Sequence, residues 1–153
     1  MTEPVLVIGV GNALRGDDGA GREVARLLRQ RNLPHVRFME TEGEATALLS
    51  LMEGAQDVYL IDACVSGAAA GSFRRVDLRQ SRLPEATYGL SSHGLGLAEA
   101  LALAETLGRL PASCVVFAIE AENFDMGAPL SEPVARAIDA VVTALCRELE
   151  TEY

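Results

Sequence analysis

The fold class this sequence predicts is a three-layer α/β/α domain. It would hold a twisted, mostly parallel sheet of about five strands, one antiparallel edge strand, and helices on both faces. Three observations predict it. Short apolar runs alternate with helical patterns from Val5 to Ile61, the β-α-β-α-β order of a parallel sheet. A glycine-rich loop, Gly9 to Gly21, carries the first apolar run into the first helix, and open α/β sheets bind ligands at such strand ends. The connection from Cys64 to Gly71 is too short for a helical crossover, so the strand after it reverses direction.

Each element follows in turn. Val5 to Ile8 is a continuous apolar run, as expected of a strand covered on both faces. Asp18 to Arg31 reads as a helix with Val24, Leu27 and Leu28 on one face, and Asp17 is placed to be its N-cap. Val36 to Glu40 is the second strand. Glu44 to Glu53 is the second helix, with Ala47, Leu48, Leu51 and Met52 inward. Val58 to Ile61 is the third strand. Ser72 to Leu78 is the reversed strand, and its Arg74 and Arg75 suit an exposed edge. A loop from Arg79 to His93 holds Pro84, Gly89 and two serines; at about fifteen residues it exceeds an ordinary connection and points to function or mobility. Gly94 to Leu107 is an Ala/Leu-rich helix, Ser113 to Ile119 a buried strand, and Ala121 to Leu130 a second loop. The last helix runs from Ser131 to Glu150. Ser131 is placed to cap it, Pro133 fits its first turn, and Val134, Ile138, Val141, Val142, Leu145 and Leu149 recur at helical spacing.

Composition bounds the function. The 153 residues suit one domain over 1–153. Apolar residues make up 49% and aromatics only 5%, so the core is aliphatic. Thirteen basic against 22 acidic side chains give a net charge of −9, which repels nucleic acid and anionic membranes. Cys64, Cys114 and Cys146 are widely spaced among apolar residues, with no CxxC; structural thiols in a reducing compartment fit them. No signal peptide or membrane span is legible. A cytoplasmic protein is expected, and with no sustained heptad seam in its helices, a monomer.

Three strand ends carry the chemistry. The first loop ends in adjacent carboxylates, Asp17 and Asp18. Carboxylates at that position favour a cation over a phosphate. The third strand ends at Asp62, and strands one and three are neighbours in a doubly wound order. His93 precedes the third helix and is placed to return to the same edge. Two carboxylates and an imidazole suit a borderline divalent cation such as nickel or zinc. Each residue also has a plainer reading. Asp17 is most simply a cap, Asp18 a partner of the helix dipole, Asp62 an acceptor for loop amides and His93 a helix-start residue. His35 follows Pro34 in a turn and reads as surface. Competing motifs fail. Leu14 stands where a dinucleotide fingerprint needs glycine, and Asp17 and Asp18 stand where a P-loop needs lysine and a hydroxyl residue. There is no GxSxG elbow, and Cys64 lacks a basic neighbour in sequence that would activate a thiol.

The loop Gly9-Val-Gly-Asn-Ala-Leu-Arg-Gly-Asp-Asp-Gly-Ala-Gly21, the strand end Leu-Ile-Asp62-Ala and the stretch Ser-Ser-His93-Gly-Leu-Gly-Leu together resemble the hydrogenase maturation endopeptidases over essentially the whole chain. That family trims the large subunit of nickel–iron hydrogenases and has an α/β fold with a twisted sheet between helices. By motif position the resemblance implies a catalytic, metal-binding set of Asp18, Asp62 and His93. It implies nickel, supplied by or shared with the substrate, with zinc or cadmium as substitutes. The implied partner is the large-subunit precursor. A C-terminal extension would be cut from it after a His or Arg that shortly follows the last nickel-binding cysteine, once nickel is inserted. One departure lies after strand two. Many members have a Gly-Thr stretch there; this chain reads Thr41-Glu-Gly43-Glu-Ala-Thr46, with Gly43 placed to hold the equivalent turn.

The resemblance implies a nickel ion that acts partly as a recognition tag and leaves open whether it also takes part in peptide hydrolysis. Asp17 would serve as a base or a supporting partner where it is not simply a cap. A scheme in which two carboxylates share a proton fits poorly if both are ligands, since a metal keeps them ionised. The leading alternative is a nickel-checking docking protein that binds the precursor without cutting it. A flavodoxin-like nucleotide module and a small-molecule metallohydrolase are further alternatives.

Overall fold

The computed structural model describes residues 4–81 and 97–151. Its elements are β1 (Val5–Val10), a 3-10 turn (Gly16–Gly19), α1 (Ala20–Arg29), β2 (Val36–Thr41), α2 (Ala45–Met52), β3 (Asp57–Cys64), β4 (Phe73–Asp77), α3 (Leu97–Thr106), β5 (Ser113–Glu120) and α4 (Glu132–Thr151). The five strands form one sheet in the order β2-β1-β3-β5-β4. β1, β2, β3 and β5 run parallel, and β4 lies antiparallel to β5 at the edge. The expected α/β class and the reversed edge strand are both present.

Alternation along the strands divides the core into two layers, because successive side chains point to opposite faces. On one face Val5, Val7, Tyr59, Ile61, Phe117 and Ile119 meet α1 through Val24 and Leu28, and α4 through Val134, Ile138, Val141, Leu145 and Leu149. On the other, Leu6, Ile8, Leu60, Val116 and Ala118 meet α2 through Leu48 and Met52, and α3 through Leu97 and Leu101. All six apolar positions read along the final helix are buried. Among the described residues no helix is long and apolar enough to cross a membrane.

Two glycines set how closely α1 approaches the sheet. A Cβ on Gly9 would lie 2.5 Å from the Gly21 carbonyl oxygen, and one on Gly21 would lie 2.1 Å from the Ile61 carbonyl oxygen. Backbone therefore packs on backbone where α1 crosses β1 and β3. This contact holds the start of α1 over the ends of those two strands.

Three local expectations need correction. The first helix starts at Ala20 rather than Asp18, because Gly16–Gly19 is wound into a tighter turn. That turn is held by Asp17 N donating to Asn123 O at 2.8 Å and by Asp18 N donating to Arg15 O at 3.1 Å. Asp17 does not cap α1: the cap position is Gly19, with no side-chain hydrogen bond. His35 is not plain surface. It is half-buried, and its Nε2 donates to Leu149 O at 3.1 Å, one of the terminal carbonyls that the end of α4 leaves without a helical partner.

Candidate active site

β1 and β3 are adjacent, paired from Leu6 with Val58 to Gly9 with Ile61. β2 lies on the other side of β1, so the strand order reverses between β1 and β3, the position where open α/β sheets place ligands. The first loop leaves from the end of β1. Asp62 stands near the end of β3, one residue beyond the last pair.

Asp18 and Asp62 are nearly inaccessible, 1% and 3% exposed. Asp18 Oδ2 accepts the Asn12 backbone N–H at 2.8 Å, which folds the loop back on itself. Gly11, at φ 135°, makes room for this: a Cβ there would lie 1.9 Å from the Asp18 carbonyl oxygen. Asp62 Oδ1 accepts the Ala63 N–H at 2.8 Å. The Asp62 carboxyl is held well above the ordinary carboxylate range, first by burial and next by the negative charge of Asp18; the Ala63 hydrogen bond opposes both. The two side chains thus share one electrostatic neighbourhood although 44 positions, from 18 to 62, separate them.

Two buried carboxylates are hard oxygen donors of the kind a divalent cation takes, and a positive ion bound beside them would relieve their mutual repulsion. Among the described residues, no group of three or more His, Cys, Asp or Glu side chains forms a metal site. Of the expected set, Asp18 and Asp62 are among the described residues, and His93 lies outside them.

Asp17, beside Asp18, does different work. It is fully buried and points toward the far end of the chain. Its Oδ2 accepts the Glu122 N–H at 2.9 Å, the Asn123 N–H at 3.0 Å and the Ser131 hydroxyl at 2.8 Å; its Oδ1 accepts the Ser131 N–H at 2.6 Å. Four donors leave little of this carboxylate for a base role. Its negative charge sits at the N-terminus of α4, where the helix dipole favours it. The Ser131 hydroxyl, expected to cap α4, is given to Asp17, while the Ser131 carbonyl accepts the Ala135 N–H at 2.8 Å.

One further buried carboxylate went unread in the sequence. Glu120 ends β5 and is 4% exposed. It accepts the Ser66 N–H at 2.9 Å and the Ser66 hydroxyl at 2.5 Å, fixing the turn after β3. The clue available was an acid closing an apolar strand, the same pattern that singled out Asp62. Cys64 pairs in register with Glu120, and its Sγ donates to Glu120 Oε1 at 3.7 Å. Burial, then the Glu120 charge, push the Cys64 thiol up to about 12. A thiol so placed is no nucleophile at neutral pH, in agreement with its reading as structural.

Comparison with known proteins gives a consistent family. The model of the HycI family, described as hydrogenase maturation protease, matches residues 22–148. The hydrogenase expression/formation protein HupD of Rhodobacter capsulatus is 31% identical over 152 residues, covering 96% of this chain and 71% of that protein. The hydrogenase 2 maturation protease of Escherichia coli is 28% identical over 154 residues, covering 97% and 93%. In structure, the hydrogenase maturating endopeptidase HybD from E. coli superposes with a TM-score of 0.79 at 23% identity, covering 97% of this chain and 93% of that one, a likeness of fold.

Proposed function

The chain belongs to the hydrogenase maturation protease family, and we propose that it is an endopeptidase that removes the C-terminal extension from the nickel-loaded large-subunit precursor of a nickel–iron hydrogenase. The observation that carries this reading is the buried pair Asp18 and Asp62, set at the switch point of the sheet, with the proton affinity of Asp62 raised by burial and then by Asp18. In this reading the pair and His93 form one pocket that receives the precursor's nickel, already held by the precursor's own thiolates. Nickel arrives as part of the substrate and reports that the precursor is ready to be cut.

The chain's own residues then position the peptide. Asp18 is oriented by the Asn12 N–H and Asp62 by the Ala63 N–H, so neither carboxylate needs to reorganise when the substrate docks. A divalent cation held by these carboxylates would be placed to polarise the scissile carbonyl. Asp17 holds the loop that presents Asp18, and Glu120 holds the turn that follows Asp62. The bond cut is the one after the His or Arg that shortly follows the precursor's last nickel-binding cysteine.

The test incubates the purified protein with nickel-loaded and nickel-free precursor and weighs the products by mass spectrometry. Loss of a C-terminal peptide from the loaded form alone is expected. Equal cleavage of both forms removes the role of nickel as a tag. Binding of the precursor without any cleavage turns the protein into a docking factor.

A further inference from the structure

Four large apolar side chains are exposed among the described residues: Leu14 at 68%, Met126 at 67%, Leu107 at 52% and Leu103 at 41%. The two most exposed share one place. Leu14 lies in the loop after β1 and Met126 in the loop after β5, and the Gly127 N–H donates to the Leu14 carbonyl at 2.7 Å. Leu103 and Leu107 lie elsewhere, in and just after α3. Single exposed apolar residues are ordinary on a protein surface, whereas adjacent ones on a functional edge mark contact sites.

These two loops are also unusually well anchored. Asn12 Oδ1 accepts the Leu14 N–H at 2.8 Å, and Asn123 Oδ1 accepts the Asp125 N–H at 2.9 Å. The Asp17 carboxylate and the Asp17 N–H bind the second loop to the first. A loop that fixes its backbone yet leaves its apolar tip in water has already met most of the ordering cost of binding. Leu14 is four positions from Asp18, so one stretch of chain carries both the exposed tip and a member of the carboxylate pair.

We infer that Leu14 and Met126 form the rim on which the hydrogenase large-subunit precursor docks, through an apolar patch of the precursor next to its cleavage segment. The inference rests on the precursor being the substrate of this site. The occupant is a folded protein surface: two apolar tips on separate, rigidly joined loops make an anchor for a partner's side-chain pocket. No charge on the partner is needed for this contact.

The test measures two quantities with the nickel-loaded precursor: its Kd, by biolayer interferometry, and its cleavage, by mass spectrometry. The double variant Leu14→Ser/Met126→Ser is compared with wild type and with Leu103→Ser/Leu107→Ser, which removes the same chemistry from α3 and its end. Both variants alter exposed positions, and thermal midpoints confirm equal folding. A Kd raised about tenfold in the first variant and unchanged in the second is expected, the size of loss usual for truncating interface anchors. A Kd within twofold of wild type in the Leu14/Met126 variant overturns the rim. If wild type binds but does not cleave, the protease reading falls while the Kd comparison still decides the rim. If wild type does not bind the precursor at all, both fall.

Discussion

Asp17 and Ser131 are 114 residues apart in the chain and share two hydrogen bonds, Ser131 N to Asp17 Oδ1 at 2.6 Å and Ser131 Oγ to Asp17 Oδ2 at 2.8 Å. One carboxylate thereby closes the first loop onto the start of the last helix, and the neighbouring Asp18 is fixed as a consequence. Asp17→Asn keeps the size of the side chain but turns an amide toward donors. It leaves buried N–H groups unpaired, each costing about 1–3 kcal/mol. A loss of about 3 kcal/mol in urea unfolding is expected, with Asp17→Ala no milder. Stability within about 0.5 kcal/mol of wild type would contradict the stapling role.

The Asp62 carboxyl gives a signed pH dependence. Its proton affinity in the folded state is raised by burial and by Asp18, so the folded protein holds a proton that the unfolded chain has released. The contribution of Asp62 to stability therefore falls as pH rises from the ordinary carboxylate range up to the raised folded value, and is constant below and above that window. Asp62→Asn removes the penalty. The metal-free variant is expected to be more stable than wild type at neutral pH, with the gap closing toward pH 4 and below, roughly the unfolded carboxylate range. Denaturant titrations across that range measure it; a gap that widens on acidification contradicts the assignment.

The buried thiols are expected to be inert. Cys64 and Cys114 are both pushed up to about 12, chiefly by burial. Iodoacetamide at pH 7 should leave both unmodified in the native protein and alkylate them in denaturant, as read by peptide mass spectrometry. Rapid native labelling of Cys64 together with loss of cleavage would revive a thiol mechanism.

Gly21→Ala tests the approach of α1. The added methyl would stand 2.1 Å from the Ile61 carbonyl oxygen, so the helix must move off the strands. Overpacking of this kind costs about 1–3 kcal/mol. Cleavage is expected to fall along with stability, because the same helix follows the turn that carries Asp18. An unaltered unfolding midpoint would show that the helix can shift freely.

Much of the frame was legible because it depends on local pattern. Continuous apolar runs at Val5 to Ile8 and Val58 to Ile61 mark strands covered on both faces, and both strands are buried in the sheet. The short link after Cys64 forced β4 to reverse. Helical spacing from Val134 to Leu149 identified the buried face of α4. The part that was not legible depends on distant contacts. Asp17 looked like a local cap because its partners, Glu122, Asn123 and Ser131, lie more than a hundred residues on. His35 looked like surface for the same reason, its acceptor being the Leu149 carbonyl. Of the expected site residues, Asp18 and Asp62 share a neighbourhood through the pairing of β1 with β3, while His93 lies outside the described residues.

Single-turnover cleavage of nickel-loaded precursor by wild type, Asp18→Asn and Asp62→Asn tests the central claim most directly, because each amide keeps the shape of its carboxyl group while removing its ability to ionise. Both variants are expected to lose cleavage by about a hundredfold or more, the scale at which a transition-state interaction is removed. Wild-type cleavage rates in either variant would contradict a shared role for the two carboxylates.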